Sequence, residues 1–259
     1  MLKNFFIIAL RNLYKNSIYS IINIAGLSIG LMCSILIFLW VIDESTYDHF
    51  IPKRDRLQQV WVSAFYDGKV NSWNSVPLPT YEAMKTANSH IVNSVVADWG
   101  SDHLLAVGEK RIYQRGYYVG EEFLEMFEFP LLQGDASQVL DEPTSIVISE
   151  SAAKTLFGNE DPINKIIKID NDDDLKVSGV LKDIPGNSSF DFDVLIPWSY
   201  RRKVNEWVRD NEDNWGNYSF QVFVELDDKA KFNEAEAGIK DMLDKNKDDD
   251  DEMESSFFL

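Results

Sequence analysis

The feature that most constrains this chain is an apolar run that begins at Ile18 and ends at Ile42. Its 25 residues contain no charged side chain. An α-helix rises about 1.5 Å per residue, so a helix of this length spans about 37 Å and can cross a ~30 Å hydrocarbon layer with some tilt. The sequence therefore predicts a transmembrane helix over residues 17–42, and the remaining residues must be explained as parts of a membrane protein.

The charges on either side of the run indicate its orientation. Lys3, Arg11 and Lys15 precede it without an acidic residue, whereas Asp43 and Glu44 follow it at once. Because basic residues are retained on the cytoplasmic side, we expect a cytoplasmic N-terminus and an external C-terminal part. A cleavable signal peptide is the alternative, but its apolar core would have only about 7–15 residues.

Three small residues recur inside the run at intervals of four. Gly26, Gly30 and Ser34 fall on one face of the predicted helix. Small residues allow the backbone of another helix to approach closely, and this contact drives helix packing in lipid. Glycine is also simply frequent in membrane helices, which is the alternative explanation. We predict a packing face whose partner helices lie outside this chain.

Residues 1–16 alternate apolar side chains with Lys3, Asn4, Arg11 and Asn12. A basic amphipathic helix next to a span can lie in the plane of the membrane interface. A plain extension of the span into the cytoplasm is the alternative. We predict a cytoplasmic amphipathic segment over residues 1–16.

Charge and cysteine content narrow the class of the external part. The chain carries −18 and residues 1–42 carry +3, so residues 43–259 carry −21. Such an acidic surface argues against nucleic acid as a partner and against lying flat on anionic lipid. The single cysteine, Cys33, lies within the apolar run. The external part therefore has no disulfide, as is typical of a bacterial envelope protein held together by packing.

Hydrophobic patterning beyond the run predicts interleaved strands and helices, and so an α+β periplasmic core domain over residues 43–245. A division of this domain into two subdomains is left open. Strands are predicted at 57–65, 91–99, 104–107, 112–119, 146–148, 163–169, 175–181, 190–196 and 218–226. Helices are predicted at 80–86, capped by Thr80, and at 121–127, 149–158, 198–208 and 229–244. In the helix at 149–158, Ser149 is the predicted N-cap, and Ala152, Ala153, Leu156 and Phe157 line one side. Residues 246–259 are predicted to be a charged linker that leads towards further membrane spans.

No catalytic or metal-binding pattern emerges from the residue types and their spacing. His49, His90 and His103 lack the spacing of a zinc site and are expected to be solvated, turn or surface residues. Residues 170–174 resemble a calcium loop superficially but lack its central Gly and distal Glu, so we predict a solvated hairpin tip. Since the sequence contains no P-loop, we expect neither a cofactor nor an ATPase activity in this chain.

Six ordered motifs lie in the C-terminal part: VGEEFLEMF at 119–127, FPLLQGD at 129–135, PTSIVISE at 143–150, LFGNEDP at 156–162, VSGV at 177–180 and DIPGNSSF at 183–190. Together they resemble the periplasmic core domain of MacB-like, FtsX-family permeases of ABC transporters. The N-terminal Leu10–Leu13, the Gly-containing span and residues 43–50 (DESTYDHF) are similar to the opening of that family, in its Bacteroidetes-type branch.

The resemblance implies structural rather than catalytic roles for eight motif residues, in which glycines permit turns and prolines fix loop backbone angles. These residues are Phe127, Pro130, Gly134, Phe157, Gly158, Pro162, Gly179 and Pro185. Two departures stand out. Asn164 replaces a glycine that often precedes Lys in the family. The chain also stops at Leu259, where the family continues into further spans, so the resemblance implies part of a permease.

Two functions follow from these observations. The first is a permease subunit of a bacterial inner-membrane ABC transporter, with an ATP-binding cassette ATPase, further transmembrane helices and a periplasmic adaptor as implied partners. The second is a single-span sensor or adaptor with an external binding domain. The small-residue face and the motifs favour the first hypothesis, and the single span favours the second. An envelope enzyme is a distant third.

Overall fold

The computed structural model describes residues 2–66, 68–228, 231–246 and 255–259. The chain forms two compact units. The first ends at Tyr47, and the second runs from Asp48 to Leu259.

The first unit consists of two helices, α1 (Leu2–Lys15) and α2 (Ser17–Ser45), which Asn16 separates. None of the described side chains of α2 is buried. Within the described part of the chain, α2 is the one helix that is long and apolar enough to cross a membrane. It continues three residues beyond the predicted end of the span, so residues 43–45 extend the helix instead of starting the external domain.

The second unit is a mixture of strands and short helices, which confirms the predicted α+β class. Its strands are β1 (Leu57–Gln59), β2 (Trp61–Tyr66), β3 (Lys69–Trp73), β4 (Ile91–Ala97), β5 (Ser101–Val107), β6 (Lys110–Val119), β7 (Leu131–Gln133), β8 (Ser145–Ser149), β9 (Ile166–Ile169), β10 (Asp173–Leu181), β11 (Val194–Pro197), β12 (Gln221–Leu226) and β13 (Ser255–Phe258). Its helices are α3 (Thr80–Lys85), α4 (Phe123–Phe127), α5 (Glu150–Phe157), α6 (Trp198–Val204), α7 (Glu206–Asp210), α8 (Phe232–Ile239) and α9 (Met242–Asn246), with a 3₁₀ turn at Arg54–Arg56.

The larger sheet has the strand order β1-β12-β4-β6-β11-β8-β10-β9-β5, and β7 is added on β10. Because β5 also pairs with β6, the last six strands of this path close into a ring. The pairs β8–β10 and β6–β11 are parallel, and the other pairs of the ring are antiparallel. Strand β6 belongs to the ring and also continues the open part of the sheet through β4.

The ring encloses an aliphatic core against which α5 packs. Ile146, Ile148 and Val177 from its strands and Leu156 from α5 are among the buried residues of this core. Ser149 accepts a hydrogen bond from the Ala152 N–H at 3.2 Å, which confirms the predicted N-cap of α5. The sequence therefore located both this helix and its buried face correctly.

A second, three-stranded sheet has the order β13-β2-β3. Together with α3, α8 and α9 it covers one face of β12 and β4. The core between them includes Val62, Met84, Val224 and Phe257, each at most 1% exposed.

The predicted single strand at 57–65 is wrong, because the chain passes from one sheet to the other at Val60. Strand β1 pairs with β12, whereas β2 pairs with β3 and β13. The N–H of Val60 donates to Val222 O at 2.9 Å, so the alternation of side chains continues through the crossing. A pattern with period two cannot show that a strand changes partners.

Three further boundaries differ from expectation. The helix expected at 198–208 is two helices, since Asn205 ends α6 and caps α7 through its side chain. Thr80 lies inside α3 and does not cap it; Pro79 occupies the N-cap position without a side-chain hydrogen bond. The predicted helix at 229–244 corresponds to α8 and α9, and residues 229 and 230 lie outside the described part.

The predicted linker at 246–259 is wrong at its end. Residues 255–258 form β13, and Phe257 is 1% exposed in the core. Residues 247–254, which carry the acidic run of the expected linker, lie outside the described residues. The signal for β13 is only four residues long and follows a charged stretch, so periodicity alone does not reveal it.

Candidate functional site

The small-residue face of α2 is open to a neighbour. Apart from the helix's own neighbouring backbone, no atom of the described residues lies within 4 Å of the position that a Cβ would take at Gly26 or at Gly30. The Ser34 hydroxyl donates to the carbonyl oxygen of Gly30 at 2.8 Å. The Ser34 hydroxyl therefore has its hydrogen-bond partner within the helix. The face formed by Gly26, Gly30 and Ser34 carries no bulky side chain, so another backbone can approach it closely.

The second unit opens with a group of hydrogen bonds, the Asp48 clasp, formed by Asp48, Asn187 and Ser189. The Asp48 carboxylate accepts from the Ser189 N–H at 2.8 Å and from the Ser189 hydroxyl at 2.5 Å. The Asp48 N–H donates to Asn187 O at 3.0 Å. Asp48 has a φ of 56°, a conformation that Asp tolerates better than most residues. The clasp joins two motifs, at 43–50 and 183–190, that are far apart in the sequence.

The residues after the clasp lead directly into an aromatic core. The rings of Phe50 and Phe129 are 5.9 Å apart, and Ile51 is 4% exposed. Phe127 stacks on Phe129 at 5.6 Å and meets Phe190 edge to face at 5.0 Å. The first residues of this unit, α4 and the loop before β11 therefore share one rigid core.

Three of the predicted motif residues cluster beside this core. The carbonyl oxygen of Pro130 accepts the Lys182 N–H at 2.9 Å, where the chain enters β7. Gly134 has a φ of 102°, and a Cβ there would lie 2.6 Å from Val139 Cγ1 and 3.1 Å from the Cα of Gly179. A side chain at Gly134 would therefore force β7 away from β10.

The other predicted motif residues lie elsewhere. Phe157 is 7% exposed at the end of α5, below the ammonium of Lys165, and Gly158 follows with a φ of 68°. Pro162 is buried in the turn before β9, and Pro185 is exposed in the loop before the clasp. The structural roles of these four residues stay a prediction.

A buried polar group near α6 was not foreseen from the sequence. Asp98, which is 6% exposed, forms an ion pair with Arg201 and accepts the Tyr118 N–H at 3.0 Å. The Arg201 guanidinium lies 4.7 Å from the centre of the Tyr118 ring. Burial raises the pKa of the Tyr118 phenol to about 12, although the positive charge of Arg201 acts in the opposite direction. Asp98 and Arg201 are 103 residues apart, and no spacing rule links them.

His103 is buried, so its expected place on a turn or at the surface is wrong. One ring nitrogen, Nδ1, lies 2.7 Å from Asp170 Oδ2, and the other, Nε2, lies 3.1 Å from Ser101 Oγ. Asp170 also accepts the Leu104 N–H at 2.8 Å. The group ties β5 to the turn between β9 and β10, beside the point where the ring closes.

Ser101, His103 and Asp170 follow the order of hydrogen bonds found in serine hydrolases. Such enzymes also need backbone N–H groups directed at the developing oxyanion. The neighbouring Gly100 N–H already donates to Asp98 Oδ1 at 3.1 Å. We therefore interpret the three residues as a structural tie within the ring.

The acidic stretch at 170–174 is a hairpin turn, as predicted, but it is not merely solvated. Asp170 and Asn171 take the positive φ values of a tight turn, 50° and 63°. The Asp173 carboxylate accepts the Tyr200 hydroxyl at 3.0 Å, and burial together with this bond raises the pKa of Tyr200. Among the residues that the structure describes, no group of three His, Cys, Asp or Glu side chains could hold a metal ion.

Comparison with known proteins identifies the family to which this fold belongs. The profile of the family described as the MacB-like periplasmic core domain matches residues 20–242. The chain belongs to this family. The match begins inside α2, and it confirms the resemblance that the sequence motifs indicated.

The relatives of this MacB-like chain include a curated protein and several solved structures. Over 116 residues the chain is 31% identical to the macrolide export ATP-binding/permease protein MacB of Aggregatibacter actinomycetemcomitans. This segment is 41% of the chain but only 18% of that protein, so the chain corresponds to a small part of it.

The solved structures share the fold at low sequence identity. A domain of a permease protein from Porphyromonas gingivalis gives a TM-score of 0.67 at 20% identity, covering 80% of this chain and 90% of that one. The periplasmic region of MacB from Actinobacillus actinomycetemcomitans gives 0.51 at 18% identity, with 77% and 86% covered. The extracellular domain of the ABC-type transporter YknZ from Gram-positive bacteria gives 0.52 at 14% identity, with 76% and 98% covered.

Proposed function

We propose that this chain is the N-terminal part of a permease subunit of an ABC transporter in a bacterial inner membrane. The observation that carries the proposal is the family match, which includes most of α2 together with the external domain. In the proposed topology α1 is cytoplasmic, α2 spans the membrane, and the second unit lies in the periplasm. Lys3, Arg11 and Lys15 before the span and the acids after it support this orientation.

In this function the external domain moves as a body when a partner ATPase binds or hydrolyses ATP. Displacement of a membrane helix can be passed on only if the residues after it are firmly attached. The Asp48 clasp and the aromatic contacts of Phe50 supply such an attachment at the start of the second unit. The open face at Gly26 and Gly30 supports packing against further permease helices.

The sensor or adaptor hypothesis predicts different partners. Affinity purification of the tagged chain from its native membranes, followed by mass spectrometry and an ATPase assay, separates the two. We expect an ATP-binding cassette ATPase to co-purify and to account for all nucleotide binding. Purification without an ATP-binding protein would favour the sensor hypothesis, and nucleotide binding by this chain alone would contradict the proposed division of labour.

The orientation has its own test. Alkaline phosphatase fused after Leu259 should be active, because that enzyme matures only outside the cytoplasm. A fluorescent cytoplasmic reporter at the same position should stay dark. The opposite pattern would reverse the topology and remove the basis for a periplasmic domain.

A further inference from the structure

The second unit contains a cleft of about 500 Å³ beside the Asp48 clasp, here named the Arg115 cleft. Asp48 and Ser189 of the clasp line it, together with residues of β1, β6 and β12. A volume of this size is within the range of small-molecule sites, about 300–1,000 Å³. An occupant would therefore touch the residues that hold the start of this unit to its core.

The interior of the cleft is aromatic and preformed. Tyr117, Phe190 and Phe223 line it and are each at most 9% exposed. The Trp99 indole also lines it, and its N–H donates to Ser219 O at 2.9 Å. This ring is fixed by the hydrogen bond, yet the residue is 43% exposed and leaves surface for a ligand. An apolar group in the cleft would meet aromatic rings on more than one side chain.

Side-chain amides supply the neutral polar part of the lining. Gln221 is 9% exposed, donates to Asp98 O at 2.6 Å and accepts from the Gln59 amide at 2.9 Å, so its position is fixed. Gln58 and Asn74 also line the cleft and are partly buried. Neither of these two side chains forms a hydrogen bond with another described residue, so both amides can bind a ligand.

Arg115 on β6 is the one partly buried base of the described residues that has no carboxylate partner. The other partly buried Lys and Arg side chains that the structure describes each form an ion pair. The Arg115 guanidinium donates to Trp99 O at 3.3 Å and lies 5.9 Å from the centre of the Tyr117 ring. These contacts orient the group but do not neutralise its charge.

This exception is unexpected from the composition. The chain has 43 acidic and 25 basic residues, so carboxylates are in excess. A charge that is partly removed from water is costly unless an opposite charge compensates it. The missing partner of Arg115 is therefore explained by an anion that binds from outside the chain.

The charges of the lining favour an anion with a single charge. Arg54 and Arg115 are positive and Asp48 is negative, so the formal sum is +1. The Asp48 carboxylate already accepts the N–H and the hydroxyl of Ser189. Arg54 is held only loosely, with its Nε 3.8 Å from the Asp55 carboxylate. A monoanion balances this sum, whereas a dianion leaves excess negative charge beside Asp48 and a cation is repelled by the arginines.

We propose that the Arg115 cleft binds a small carboxylate with an apolar body. The carboxylate lies on the Arg115 guanidinium, and the apolar body packs against Trp99, Tyr117 and Phe223. A planar guanidinium binds a carboxylate through two parallel N–H···O bonds, which a neutral hydroxyl cannot reproduce. The site goes beyond the proposed transport function, which assigns no ligand to the domain.

The test compares probes that share one apolar body: 4-phenylbutyrate, 4-phenylbutanol and 4-phenylbutylamine. Calorimetric titration of the full chain in nanodiscs of zwitterionic lipid, with empty nanodiscs as blanks, measures each affinity. We expect the carboxylate to bind at least about tenfold more tightly than the alcohol, and the amine not to bind. Equal affinities for carboxylate and alcohol would overturn the proposal, as would tighter binding of the dianion 4-phenylbutyl phosphate.

Variants locate the binding site. Arg115→Gln should weaken carboxylate binding at least about tenfold while leaving the weak affinity for the alcohol unchanged. Arg115→Lys should lose less, since it keeps the charge but lacks the planar fork. Arg111→Gln is the matched control, because Arg111 is an exposed arginine on the same strand that does not line the cleft. Unchanged binding in Arg115→Gln, or an equal loss in Arg111→Gln, would refute the site.

Thermal melting separates lost binding from lost folding. 4-Phenylbutyrate should raise the melting temperature of the parent and of Arg111→Gln, but not that of Arg115→Gln. The double variant Gln58→Ala/Asn74→Ala, which keeps the contacts of Arg115, should also weaken carboxylate binding. Unchanged binding in this double variant would contradict the proposed role of the two amides.

These outcomes are independent of the transport proposal. Copurification with an ATPase tests the permease assignment and does not involve the cleft. A folded Arg115→Gln variant that binds the carboxylate normally would remove the cleft proposal and leave the permease proposal untouched.

Discussion

Two buried serines, Ser94 and Ser145, differ in whether the hydroxyl has a hydrogen-bond partner, so their substitutions can be compared directly. Ser94 on β4 is 0% exposed and its hydroxyl has no hydrogen-bond partner among the described residues. Ser145 on β8 is 1% exposed and its hydroxyl donates to Val139 O at 3.0 Å. An unpaired buried hydroxyl costs about 1–3 kcal/mol, whereas a paired one contributes about 1 kcal/mol.

We therefore expect Ser94→Ala to leave the free energy of unfolding unchanged or to raise it, and Ser145→Ala to lower it by about 1 kcal/mol. Urea unfolding followed by tryptophan fluorescence measures both. A loss of stability in Ser94→Ala as large as in Ser145→Ala would show that Ser94 has a partner, such as a buried water molecule.

Tyr118 should make the second unit sensitive to high pH. Its pKa is raised from 10.0 to about 12 by burial, so the folded protein keeps the phenolic proton when the unfolded chain has lost it. Its contribution is therefore complete below pH 10 and is lost as the pH rises from about 10 to 12. Two pKa units correspond to about 2–3 kcal/mol. In Tyr118→Phe the decline of stability over this range should be smaller by that amount, and an unchanged decline in alkaline unfolding curves would contradict the assignment.

At the scale of elements, α2 offers a steric test of its packing face. Gly26→Leu combined with Gly30→Leu would place two bulky side chains where another backbone is expected to approach. In cells that contain the whole transporter, transport should fall strongly while melting of the external domain stays unchanged. Ser28→Leu is the control, because Ser28 lies about 200° around the helix from Gly26. Full transport in the double variant would mean that both glycines face lipid.

Breaking the Asp48 clasp should weaken the coupling between the membrane helix and the external domain without unfolding the domain. Asp48→Gly removes the carboxylate that holds Ser189 but suits the positive φ at this position. We expect near-normal thermal melting and reduced transport, measured as resistance or secretion. Asp43→Gly, in the last turn of α2, tests whether added flexibility alone has this effect. Equal transport defects in both variants would argue against a special role for the clasp.

Comparison of these elements with the sequence shows which of them local sequence patterns could predict. The apolar run and the cap at Ser149 are local, and both were predicted correctly. The division of residues 57–65 between two sheets and the contact of His103 with Asp170 depend on residues over sixty positions away.

At the scale of the whole molecule, β13 extends the folded domain beyond residue 245, where the sequence analysis placed its end. Phe257 is 1% exposed and β13 pairs with β2 along four residues. A soluble fragment of residues 45–259 should therefore be more stable than one of residues 45–246. Burial of one large aromatic side chain contributes about 3–5 kcal/mol, so the shorter fragment should melt well below the longer one. Identical melting temperatures would show that β13 adds nothing to the core.

The closed ring has a consequence for the order of folding. The hairpins β5–β6 and β9–β10 can each form from neighbouring residues, but β5 and β9 are about sixty residues apart and share only two residue pairs, Leu105 with Ile169 and Ala106 with Lys168. Contacts so distant in sequence form slowly, since the intervening chain must first be ordered. Because this junction is both distant in sequence and short, we expect it to be a late contact in folding and an early one to open. Amide protons along this junction should exchange with solvent before those of β8 and β11, and loss of the bond between His103 and Asp170 should make that exchange faster.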